Sequence, residues 1–177
     1  MNSAFDLRIG ESHIEVHKFR SGAIVFSALL ALVIQAWLPL HFTRASLLDL
    51  PLLVTIYFGL SRRNPSTGLI LGALIGLSQD SLSGPTVPLG LFGIAKTVIG
   101  YLASSIGARL DTEHPVARFA VTAGFFIVHQ GIVAMTRRIL LAQPEPWFNL
   151  HLFGAAFLNA LFAVCLFLLL DRLRRPS

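Results

Sequence analysis

Six polar residues stand where they are costly: Asp49, Asp80, Lys96, His129, Gln130 and Asn159 each lie inside or at the edge of a long apolar run. Charged and amide groups in hydrocarbon are expensive unless they pair, so they are functional candidates by default. Two carboxylates and an ammonium can form a buried ion pair. Two membrane aspartates also suggest acid–base hydrolysis, but "LLDLP" and "LSQDS" carry no aspartic-protease signature. The sequence lacks a G-x-S-x-G elbow, an H-E-x-x-H pair and a P-loop. His13, His17, His41, His114, His129 and His151 are scattered, which argues against a metal centre. The lone Cys165 reads as an apolar filler. No enzyme activity, metal or cofactor is therefore expected.

A second pattern concerns packing. In "GLILGALIG", Gly68, Gly72 and Gly76 stand four apart and share one helix face. Without side chains there, another backbone can approach closely. That face serves either internal helix packing or a partner's helix.

The elements that hold these groups follow from hydropathy. The chain of 177 residues is 54% hydrophobic and 13% charged, about half the charge of a soluble domain. Six apolar spans are expected, at residues 21–40, 47–60, 67–79, 89–107, 116–135 and 152–170. The fold class is thus all-α, a polytopic membrane bundle of about six transmembrane helices. Residues 1–20 form an N-terminal segment, 21–171 the transmembrane domain, and 172–177 a basic tail. The first 20 residues carry no cleavable signal pattern, and they read as a surface-lying segment or a frayed tail. Spans two and three are short for a roughly 30 Å core, so each is either a buried helix extended by polar flanks or part of a re-entrant hairpin. Crossing is favoured by charge. With both termini inside, ten of the fourteen Lys and Arg fall on the inner side, three on the outer, and Lys96 lies within a span. The same distribution, in short clusters between apolar spans, excludes nucleic acid as the partner of the net charge of +5. Residues 136–151, with Pro144, Pro146, Trp147 and Phe148, are expected to lie along the outer interface.

Depth then groups the polar residues. Lys96 lies about 10 Å down span four from outside, at 1.5 Å per residue. His129 and Gln130 lie about 20 Å up span five from inside. Asn159 is similarly shallow on the outer side, as is Gln35 in span one. All fall in the outer half, which predicts a polar cavity open outward. In it, Lys96 pairs with Asp80 or Asp49, and Asp80 is the expected neighbour.

Residues 44 to 103 carry an ordered pattern: "DLPLLVTIYFGL", a basic turn, "GLILGALIGLSQDSLSG", then "PLGLFGIAKTVIGYLA". The block resembles the rod shape-determining protein MreD family at Asp49, Tyr57, Gly68, Gly72, Gly76, Asp80, Gly84, Leu89, Gly90 and Tyr101. The resemblance implies a bacterial inner-membrane component of the cell-wall elongation machinery. It implies a fold similar to the substrate-binding subunits of energy-coupling-factor transporters. The implied partners are MreC directly and, through it, MreB, RodA and the elongation-specific penicillin-binding protein, besides membrane lipids. Two readings stand: a scaffold that holds MreC, or a transporter-like subunit that binds a small ligand or lipid in the outer cavity.

Overall fold

The computed structural model describes residues 21–41, 47–84, 87–109, 114–143 and 150–172. The N-terminal segment, Arg44, the stretch from Pro144 to Phe148 and the end of the basic tail lie outside them. Among the described residues, all regular structure is helical: α1 (Ser21–His41), α2 (Leu50–Arg62), α3 (Pro65–Leu82), α4 (Leu91–Gly107), α5 (Pro115–Leu140) and α6 (Leu150–Asp171).

The boundaries follow local chemistry. Asp49 caps α2 by accepting the Leu52 N–H at 3.0 Å, with Pro51 in the first turn. The helix stops at Arg63, which turns left-handed (φ 54°) and donates its N–H to the Gly59 carbonyl. Asn64 then caps α3 ahead of Pro65, so α2 and α3 are joined by a minimal turn. Each of the six apolar runs expected from sequence holds one helix, with shifted ends. The third lengthens to 18 residues because Asn64 and Pro65 start it early, and the fifth runs through Arg137 and Arg138 to Leu140.

Helix α2 is the hub. At 13 residues it is about 20 Å long, yet every residue from Leu50 to Leu60 is buried, and the other five helices all touch it. Helices α3 and α4 form the most intimate pair, followed by α2 with α4 and α5 with α6. Helix α1 rests chiefly on α2 and only lightly on α3.

The exterior is apolar. Phe26, Leu29 and Val33 on α1, Ile70 and Leu74 on α3, and Phe157, Leu161 and Leu168 on α6 are all exposed. Two helices, α5 and α6, are long and apolar enough to cross a membrane. Only 28% and 33% of their apolar stretches are buried, unlike the core helix of a soluble domain.

Candidate functional site

The stretch 47–49 leads into α2, and two amide side chains bracket it. From α1, Gln35 donates to the Leu48 carbonyl and accepts the Leu50 N–H, both at 2.9 Å. From α6, Asn159 accepts the Asp49 N–H at 3.0 Å and donates to the Leu47 carbonyl at 2.7 Å and to Ala155. Backbone groups outside a helical ladder need such partners when they are buried. The brackets fix Asp49, whose Oδ2 meets Lys96 Nζ from α4 at 2.7 Å.

Lys96 is wholly buried. Its ammonium also lies 3.4 Å from His129 Nε2 on α5 and 5.0 Å from the centre of the Phe92 ring. Phe92 stacks in parallel with the His129 imidazole. Because Lys96 donates, Nε2 must accept, and the neutral imidazole carries its proton on Nδ1. That Nδ1 finds no partner among the described residues. The triad Asp49–Lys96–His129 thus ties α2, α4 and α5 together.

Asp80 does not join it, which corrects the expected Asp80–Lys96 pairing. Its two oxygens accept the N–H groups of Gly90, Phe92 and Gly93 at 2.9, 2.9 and 3.0 Å. Gly90 adopts φ 98° and has no capping side chain. Asp80 therefore caps α4 from the end of α3, where a carboxylate also complements the helix dipole. Gln130, one position round the helix from His129, is half-buried, and its side chain makes no hydrogen bond among the described residues. The expected open cavity is also corrected: Lys96, His129 and Asn159 are fully buried side chains, bonded within the bundle rather than lining a solvent-filled space.

The glycine face meets α4. A Cβ built on Gly72 would collide with the Lys96 carbonyl, and one on Gly76 would lie 2.7 Å from the Gly93 Cα. Gly68 faces Gly100 and Ser104 in the same way. The seam is reciprocal, since α4 contributes Gly93 and Gly100 to it, while Gly107, seven residues further on, packs on Leu60 of α2. The whole face is occupied within the chain and is closed to a partner's helix. The seam also sets the height of Lys96, because Gly72 packs directly on its backbone.

A second cluster, not anticipated from sequence, holds the opposite end. Tyr57 on α2 donates to Asp171 Oδ1 at 2.8 Å, and Arg118 on α5 donates to Asp171 Oδ2 at 2.7 Å. Arg118 is 5% exposed although it reads in sequence as a flanking charge. The available signal was position: Arg118 lies inside the apolar stretch of α5, not before it.

None of these groups presents an activated nucleophile or an open acid–base pair. Their geometry clasps helices together. No curated protein and no solved structure matches the chain. Residues 18–175 match the family of the rod shape-determining protein MreD. The match spans nearly all of the sequence, including the two clasps and the glycine seam, so the chain belongs to the MreD family, whose role is in rod-shape determination.

Proposed function

We propose that this chain is an inner-membrane scaffold of the cell-wall elongation machinery. It crosses six times with both termini cytoplasmic, binds MreC directly and, through it, is linked to MreB, RodA and the elongation-specific penicillin-binding protein. The observation that carries this reading is where the polar groups spend their hydrogen bonds. Asp49, Lys96, Asp80, Asn159, Arg118 and Asp171 bond to one another or to backbone. A binding subunit would leave such groups facing its ligand. A scaffold uses them to hold its shape.

The apolar exterior supports insertion in lipid, and the basic turn Arg62–Arg63 supports a cytoplasmic α2–α3 connection. In this orientation the Asp49–Lys96–His129 end faces outward and the Tyr57–Arg118–Asp171 end faces the cytoplasm. Reporter fusions after Arg63 and after Ser177 test the topology, and both should read cytoplasmic. An external signal after Arg63 would overturn the six-crossing path. Co-purification with MreC tests the partner, and loss of MreC under conditions where the chain stays monodisperse would overturn the scaffold. The second reading, a ligand- or lipid-binding subunit similar to those of energy-coupling-factor transporters, is favoured by the cleft that Gln35, Gln79 and Phe92 line.

A further inference from the structure

We propose that the groove between α1 and α6 holds an acyl chain of an anionic phospholipid of the cytoplasmic leaflet, with the phosphate at Arg172. The proposal rests on the membrane topology above but not on the MreC partnership. Among the described residues, α1 and α6 both pack on α2 and do not touch each other, so a groove remains over the α2 face between them. Its volume is about 490 Å³. Leu50 and Val54 of α2 form the floor, Leu30 and Ile34 line the α1 side, Phe162 and Leu166 line the α6 side, and Arg172 lies at one end.

Length and charge select the occupant. Along α6 the groove runs from Phe162 to Arg172, the residue after the helix, which is about 15 Å. That is half of a roughly 30 Å core, the depth of one leaflet. The outer end is closed, because Gln35 of α1 and Asn159 of α6 both bond to the stretch 47–49 and so join the two helices just beyond Leu50. A partner's membrane-spanning helix, about 10 Å across, would fill roughly 1,200 Å³ over the same 15 Å, more than twice the groove, and would need it to run through. A single acyl chain entering from the cytoplasmic side needs neither. Leu30 and Phe162 are 48% and 42% exposed, so the groove is open along its flank to lipid. At the cytoplasmic end Arg172 is exposed, and none of the ion pairs among the described residues uses it. Its neighbour Asp171 turns to Tyr57 and Arg118 instead. No carboxylate lines the groove. An apolar slot with a guanidinium at its mouth matches a molecule that is apolar along its length and anionic at its end, and guanidinium suits a phosphate group in particular. Basic sites on the cytoplasmic side of a membrane protein favour anionic headgroups for the same reason.

Phosphatidylglycerol and phosphatidylcholine with identical acyl chains provide the test, since both carry a phosphate and only the first has a net charge. The full-length protein, purified in equal amounts of the two, is expected to retain phosphatidylglycerol about fivefold over phosphatidylcholine by native mass spectrometry, equivalent to ~1 kcal/mol for one arginine near the surface. Arg172→Gln should bring the ratio to about one. Arg109→Gln, just past the end of α4, which touches neither α1 nor α6, should keep it. Phosphatidylglycerol with a photoreactive acyl chain locates the site and should label residues 26–34 and 162–169. Leu166→Trp, which fills the groove, should abolish that labelling, and Leu74→Trp on the exposed face of α3 should not. A wild-type ratio of one, a preference kept in Arg172→Gln, or label spread evenly over the apolar exterior would each overturn the site. Loss of the label when MreC is co-purified would make a partner's segment the occupant and overturn the lipid. The reporter fusion after Ser177 reads the topology by itself, so failure of that reading shows separately from the lipid ratio.

Discussion

Lys96→Met and Asp49→Asn should each damage the protein more than the two together. The pair is buried at 2.7 Å, and the Lys96 side chain is 0% exposed. Removing one partner of such a pair costs about 3–5 kcal/mol, because the remaining charge keeps its desolvation penalty. After Lys96→Met, Asp49 Oδ1 keeps the Leu52 N–H but Oδ2 loses its donor. After Asp49→Asn the cap on Leu52 survives, yet the ammonium is left with only His129 Nε2 and the Phe92 face. The double variant buries no charge at this point. What remains is the lost donor to His129 Nε2, about 1–2 kcal/mol. At roughly 2–4 °C per kcal/mol for a chain of this size, each single variant should lose about 6–20 °C in apparent midpoint. The double variant should recover at least half of that. Monodispersity by size exclusion after heating, in one detergent for all four proteins, reads the cycle. Additive losses would refute the pairing. Asp80→Asn combined with Lys96→Met serves as the contrast and should show much weaker coupling, because Asp80 bonds to the α4 backbone and not to the ammonium.

Gly72→Ala should destabilise by about 3 kcal/mol, at the upper end of overpacking costs, since its Cβ meets backbone that cannot rotate away. Gly131→Ala, where a Cβ meets nothing within 4 Å in the middle of α5, should instead stabilise by about 0.5–1 kcal/mol, and the same heating assay compares the two. Asp80→Ala leaves three N–H groups at the start of α4 without an acceptor. The buried Gly93 N–H alone should cost about 1–3 kcal/mol, with faster amide exchange confined to the first turn of α4. Arg118→Met should cost about 1–3 kcal/mol through loss of the Asp171 contact, with no coupling to Lys96→Met in a double variant.

The helices were legible because each is a long apolar run closed by a cap, a proline or a charge. Their ends were less so where a cap from the preceding turn starts the helix early, as Asn64 does for α3. The glycines at 68, 72 and 76 were legible as a face, since a spacing of four needs no tertiary knowledge. Their partner was readable only in retrospect, from the glycines at 93 and 100. The choice between Asp49 and Asp80 for Lys96 was not legible. Both aspartates sit at the same end of the bundle, Asp49 at the start of α2 and Asp80 near the end of α3. What separates them is the Gly90 turn, which folds three N–H groups onto Asp80 and so uses up both its oxygens. The Tyr57–Arg118–Asp171 cluster was hidden because Arg118 lies only one turn inside its apolar run and Asp171 at the end of another, so that each charge reads as a flank.

Both clasps include α2, and this explains how so short a helix can sit at the centre of the bundle. At about 20 Å, it cannot reach both faces of a roughly 30 Å core by itself. Side chains do at its start what the interface does for a longer helix. Gln35 and Asn159 satisfy the open backbone of residues 47–49, and Lys96 neutralises the carboxylate that caps the helix. Toward its other end, Tyr57 reaches Asp171, which in turn holds Arg118. Four of the other five helices, α1, α4, α5 and α6, supply a side chain to this arrangement, and α3 is locked to α4 by the glycine seam. Each clasp therefore anchors α2 to the helices around it. Helices tied together in this way, with an apolar exterior, suit the proposed scaffold better than a transport cycle, in which helices must move relative to one another.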